Sequence, residues 1–230
     1  TDEQLRKNRA DVGGEAARRP LIDDYSRARM PDFSKISVPL LSAANWGGQG
    51  LHPRGNVEGF LGAGSKDKRL EIHGEAHWAH FYTDYGLSLQ KRFLGHFLKD
   101  EDTGWARQPR VQLQVRHVRK FVQRHEEDWP IPRTHWTKFH LATDSHKLVA
   151  EAPKGSGKVT FDALGDGVTF LSEPVREATE ITGPIAAKLH ISSSTKDADF
   201  FLVLRVFAPD MKEVVFQGAL DPHTPIAQGW

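Results

Sequence analysis

Residues 70–80 read LEIHGEAHWAH and bring three histidines, His73, His77 and His80, into eight residues. An imidazole titrates near working pH, so a histidine here has the chemistry of a general base toward a hydroxyl. Histidine is equally a metal ligand, and these three would share one face of a helix at i, i+4 and i+7. Gly74 breaks such a helix, however, and the preceding LEI reads as strand. The segment also lacks the H-E-x-x-H pattern, in which a glutamate stands between paired ligands. No metal site and no cofactor are therefore expected. His73 lies on the strand and reads as structural, which leaves His77 and His80 on the loop that follows.

Such a loop acts only if flanking elements fix it. The upstream run ISVPLLSAANW is an unbroken apolar stretch of strand length, bounded by Pro39 and by the glycines of WGGQG, as in a buried parallel strand. RGNVEGFLGAG reads as a helix closed by glycines, and residues 68–74 as a second short strand. In YGLSLQKRFLGHFLKD, residues Leu87, Leu89, Phe93, Leu94, Phe97 and Leu98 largely line one side of a helix. Strand, helix, strand, loop, helix is the end of a parallel α/β sheet, where functional side chains sit beyond the carboxyl ends of the strands. The histidine loop occupies that position.

After residue 100 the pattern changes. Seven short strand-like runs, from RVQLQVRH to EVVFQGAL, are separated by turn signals such as APKGSGK and GDG. This spacing predicts an antiparallel β-sandwich of the jelly-roll, galactose-binding-like kind. The expected organisation is thus residues 1–104 as the C-terminal part of an α/β domain, with 1–35 as a linker or cap remnant, and 105–230 as the sandwich, truncated at its C-terminus. The polar, helix-compatible opening and the end at AQGW, with no turn, read as a piece of a longer polypeptide. A piece of this kind exposes strand edges, so self-association, at its simplest a homodimer, is expected.

The histidine loop and its flanks resemble the α/β-hydrolases, in which a strand, a glycine, two residues and a histidine precede the last helix. More narrowly, SKISVPLLSAANWGGQGLHPRGNVEGF, HGEAHWAHFYTDYGLSLQKRFLGHFLK and EITGPIAAKLHISSSTKDADFFLVLRVFAPD resemble the acyl-esterase and X-prolyl dipeptidyl-peptidase family. The resemblance implies an α/β-hydrolase domain followed by a jelly roll. It also implies a serine hydrolase that cleaves small-molecule esters or prolyl peptides through an acyl-enzyme. His77 is then the base, with His80 as the alternative should the alignment shift by one turn. Two departures stand out. No G-x-S-x-G occurs in the 230 residues, although the nucleophile elbow precedes acid and histidine in chain order. The family's aspartate position falls on Gly48, so the acid is absent where expected. Glu58, on the next helix, is the nearest carboxylate, Asn45 could orient an imidazole without charge, and Glu75 lies two residues from His77.

The aromatics Trp46, Trp78, Phe81, Tyr82 and Tyr85 either line an apolar acyl pocket or pack the strand ends and helix. Bulk properties narrow the partners. Lys plus Arg (31) nearly balance Asp plus Glu (30), so no global field draws nucleic acid or anionic lipid. RHVRKFVQRHEEDW accordingly reads as an edge strand and loop, not as a nucleic-acid surface, and GSGK at 155–158 as a turn between strands. The chain contains no cysteine, which excludes disulfides and a thiolate nucleophile and fits a reducing cytoplasm. No apolar run approaches the ~20 residues of a membrane-spanning helix.

Overall fold

A computed structural model describes residues 1–50, 52–118 and 120–230. Three short helices open the chain, α1 (Asp2–Asn8), α2 (Val12–Arg18) and α3 (Asp24–Arg27). Each begins at a residue whose side chain accepts from a first-turn N–H (Thr1, Asp11 and Asp23), so local capping defines them. None of the three buries a residue.

The central element is a four-stranded mixed sheet in the order β1 (Leu40–Asn45), β2 (Lys68–His73), β3 (Val111–His117), β4 (Lys120–Glu126). β1 pairs with β2 and β2 with β3 in parallel, while β3 and β4 form an antiparallel hairpin. Helix α4 (Pro53–Gly62) crosses between β1 and β2, and α5 (Asp84–Lys99) between β2 and β3. Alternation along β2 sorts the two faces. Leu70 and Ile72 meet Ala44, Val111, Leu113 and Phe60 of α4 in one buried cluster, extended by Trp129 and Ile131. Each of the valine, leucine, isoleucine and phenylalanine side chains contributes about 1.5–3 kcal/mol on burial. On the other face, Arg69 reaches over Trp105, against which Phe93 and Phe97 of α5 pack edge-on at 5.1 and 6.0 Å between centroids. Glu71 and His73 share that second face.

Two sequence expectations need correction. Val111–His117, read as the first strand of the sandwich, is the third strand of the α/β sheet. Val111 and Leu113 are completely buried and Val115 nearly so, and the α4 face of the sheet is where that apolar surface leaves water. In α5, Leu87, Leu94 and Leu98 are exposed, so the helix docks through Leu89, Phe93 and Phe97 and not along the whole predicted line.

Beyond the sheet, the remaining strands are short antiparallel pairs: β5 (His140–Ala142) with β6 (Lys147–Val149), and β7 (Leu202–Leu204) with β8 (Ala227–Gly229). Single bridges join Lys147 to Leu171, Phe207 to Glu213 and Phe216 to Thr224. The runs KVTFDAL and PIAAKLHISSS, expected as strands, form none among the described residues. A lone extended segment gains no ladder hydrogen bonds, and Leu164, Ile185 and Ile191 on these runs remain exposed. RHVRKFVQRHEEDW does supply an edge strand, β4, with its residue 119 outside the described set. No helix among the described residues is long and apolar enough to cross a membrane.

β4 ends on Glu126, whose side chain is only 3% exposed and is bonded by both terminal nitrogens of Arg133. Arg133, and then the charge of Arg124, hold this carboxyl below its ordinary range. A carboxylate with a depressed folded-state pKa adds stability above the ordinary carboxylate pKa, and that stability disappears as pH falls through the folded value. Arg133→Gln is therefore expected to move the acid-unfolding midpoint, followed by tryptophan fluorescence, to higher pH. An unchanged midpoint would show that the pair does not hold the hairpin.

Candidate active site

The loop carrying the histidines leaves β2 at the carboxyl edge of the sheet, where both neighbouring strands clamp it. From β1, the Asn45 amide donates to the carbonyls of Gly74 (2.9 Å) and Glu75 (3.0 Å). From β3, the Gln114 side chain accepts from the Gly74 N–H at 3.0 Å. Asn45 is 1% exposed, so these bonds form out of water, where a lost partner is costly. The chain then turns through Glu75 at φ +60°, a left-handed conformation uncommon for a side chain with a Cβ.

The result places His77 over the end of β1. Its ring stacks on His52 at the start of α4, 4.9 Å between centroids with 25° between planes. The two rings, with Ser42, Ala43, Gly55 and Asn56, line an open groove of about 460 Å³ between β1 and α4. Ser42 and Asn56 also tie strand to helix, the Ser42 hydroxyl donating to the Asn56 carbonyl at 2.9 Å. Nδ1 of His77 is buried and has no hydrogen-bond partner among the described residues. It faces Gly48: a Cβ built on that glycine would lie 3.7 Å from Nδ1 and 3.2 Å from Cδ of Pro53. Gly48, the position to which the sequence reading assigns the missing acid, is therefore the residue beside the nitrogen that an acid would hold. Nε2 is the nitrogen left to the groove.

The other predicted site residues lie elsewhere. Glu58 is exposed on α4, about 200° of helix turn from the groove residue Asn56. It makes no ion pair or hydrogen bond with a histidine among the described residues, and neither does Glu75. The Glu58 assignment as acid has no geometric support in this structure. His80 sits on a single 3-10 turn, His80–Tyr82, with its ring against His73 and Tyr85 and not in the groove. Burial, and then the proximity of His73, push its imidazole down to about 4, too weak a base at neutral pH. Trp46 is packed inward: its indole N–H donates to the Gln114 carbonyl at 2.8 Å, and its ring lies 6.4 Å from that of Trp129. Trp78 and Phe81 are 56% and 54% exposed. None of these three aromatics lines the His77 groove. His52, which does, carried no sequence signal, because a single histidine before a helix proline is unremarkable.

The far end of the chain closes on the same region. Gly47 approaches Gly218 so closely that a Cβ would fall 2.6 Å from its backbone carbon, and the Ala219 N–H donates to the Gly47 carbonyl at 3.0 Å. The Gln49 amide donates to the carbonyls of Pro225 (3.1 Å) and Ile226 (2.9 Å), and the Arg116 guanidinium donates to Ile226 as well. Arg116 stacks over Phe216 at 4.7 Å, and burial lowers its pKa to about 10. Residues 216–226 thus hold the turn that carries Gly48.

Comparison with known proteins places this geometry in context. Residues 103–230 match the family described as the X-Pro dipeptidyl-peptidase C-terminal non-catalytic domain. Cocaine esterase from Rhodococcus sp. (strain MB1 Bresler) is 23% identical over an alignment covering 55% of this chain and 28% of that protein. A CocE/NonD family hydrolase from Staphylococcus aureus, seen in two crystal structures, is 34% identical with a TM-score of 0.59, covering 62% of this chain and 26% of its own. The chain spans little more than a quarter of the length of these relatives.

Proposed function

Because the chain belongs to the acyl-esterase and X-Pro dipeptidyl-peptidase family, as its C-terminal portion, we propose that it completes a serine hydrolase acting through an acyl-enzyme. The relatives named above are hydrolases. The observation that carries the reading is His77 itself: a clamped loop at the carboxyl ends of parallel strands, Nδ1 turned toward Gly48, and Nε2 open to a groove. In this reading Nε2 removes the proton of a serine hydroxyl as the serine attacks the acyl carbon, then returns it to the leaving group. The serine comes from a part of the polypeptide outside these residues. Asn45 and Gln114 set the loop so that the imidazole need not reorganise, which is the contribution positioning makes to rate.

Carboxylic esters are the preferred substrate class and X-prolyl amides the second, because His77 without a neighbouring carboxylate is a weaker acid–base pair. An ester leaving group demands less protonation than an amine. The β-rich half is read as a sandwich of the jelly-roll kind that packs on the catalytic half, a reading supported by the bonds from residues 216–226 to Gly47 and Gln49. The family match over that half, described as a non-catalytic domain, also supports a second reading in which the sandwich serves as a binding or assembly module.

Steady-state assays on the full-length polypeptide separate these. Turnover of a p-nitrophenyl acyl ester, exceeding that of an X-Pro-p-nitroanilide, is the expected result. Absence of turnover with either substrate, from a folded protein, would leave only the module reading.

A further inference from the structure

A second cluster of side chains lies on the α5 face of the sheet and has no part in the chemistry assigned to His77. We propose that Glu71, His73 and His80 form a binding site for one divalent transition-metal cation of the zinc type. Their ligand atoms all lie within 4.8 Å of one another. In the same three residues Oε1 of Glu71, Nε2 of His73 and Nε2 of His80 are buried and have no hydrogen-bond partner among the described residues. Glu71 is 2% and His73 8% exposed, so these are polar groups withdrawn from water with donor capacity unspent. Buried polar atoms are nearly always paired, and three orphans within one cluster of side chains call for an occupant.

Local structure explains the convergence. Glu71 and His73 are two apart on β2 and so project from the same face of the strand. The Glu71 carboxylate lies 2.8 Å from Nδ1 of His73, which holds the two side chains together on that face. His80 is returned to this face by the 3-10 turn ahead of α5, where the Thr83 hydroxyl donates to the His80 carbonyl at 2.7 Å. Gly86 permits that return, since a Cβ there would sit 2.2 Å from the His80 carbonyl oxygen. Two imidazoles and one carboxylate form a borderline nitrogen and oxygen set that suits zinc, not the all-oxygen sets of calcium and magnesium.

One adjustment accompanies binding. The His73 and His80 rings lie 4.5 Å apart and within 14° of parallel, and a cation must lie in the plane of each ring that ligates it. His80 is half-buried on a single turn, whereas His73 is fixed by Glu71, so His80 is the ring that rotates.

The test is a titration of the metal-stripped full-length polypeptide with Zn²⁺ against a chromophoric chelator, paired with the absorption spectrum of the Co²⁺ form. One equivalent of tight binding is expected, with visible Co²⁺ bands of a low-coordinate nitrogen and oxygen site. His73→Ala and His80→Ala should each lower affinity by about 100-fold or more, and Glu71→Gln by about 10–100-fold. His77→Ala and His52→Ala should leave it unchanged. Should His73→Ala or Glu71→Gln fail to fold, the half-buried His80→Ala decides the matter alone. Absence of saturable binding, Zn²⁺ affinity indifferent to His80→Ala, or affinity lost instead with His77→Ala would each overturn the proposal. None of these outcomes depends on whether the protein hydrolyses esters.

Discussion

His77→Ala in the full-length polypeptide is expected to lower kcat for a p-nitrophenyl acyl ester by about 10²–10⁴-fold, with little change in KM. The asymmetry follows from the role: a general base acts on the proton in flight and contributes to the transition state, not to substrate affinity. The variant should fold normally. His77 sits on a loop whose backbone is held by Asn45 and Gln114, and its ring stacks on a single aromatic ring among the described residues, that of His52. His80→Ala, made in parallel, should leave kcat within about twofold, since its ring faces His73 and Tyr85. Loss of activity in His80→Ala with retention in His77→Ala would reverse the assignment.

Gly48→Asp is expected to act in the opposite direction, raising kcat by about 10–10²-fold and moving the basic group's apparent pKa upward in the pH–rate profile. A carboxylate beside an imidazole favours its charged form and fixes the tautomer, and loss of that charge in a complete triad costs about 10⁴ in rate. The gain here is smaller because the loop has formed without it. Room exists, but narrowly: Nδ1 lies 3.7 Å from the new Cβ and the carboxylate oxygens extend past it, while Pro53 at 3.2 Å must give by a few tenths of an ångström. Gly48→Asn controls for shape without charge and should raise the pKa far less. Identical profiles for Gly48→Asp and wild type would mean that His77 does not use Nδ1 as its anchor.

These two residues also mark how far the sequence could be read. β1, β2, α4 and α5 were legible because Pro39, the glycines after Trp46, Gly74 and the spacing of Leu89, Phe93 and Phe97 each act locally, through backbone restriction or periodic burial. Counting along the strand led to Gly48, and the fold places Gly48 against His77, because register within one strand–loop unit is itself local. Val111–His117 was misread because an alternating strand of seven residues carries no mark of which sheet will receive it; a parallel partner some forty residues upstream decides that. The β-rich half was legible as composition but not as pairing, and its runs KVTFDAL and PIAAKLHISSS show strand chemistry without a strand partner among the described residues. Glu71 escaped notice as a neighbour of His80 because the histidines were weighed at helical spacing, whereas the fold joins a strand face to a returning turn.

The central claim, that His77 activates a serine nucleophile, is tested most directly by the rate at which a fluorophosphonate probe labels the full-length polypeptide. Stoichiometric labelling of one serine outside these residues is expected, slowed by about 10²-fold or more in His77→Ala and restored toward the wild-type rate by no change at His80. Labelling that proceeds equally fast in wild type and His77→Ala, or a folded wild-type protein that takes up no probe, would contradict it.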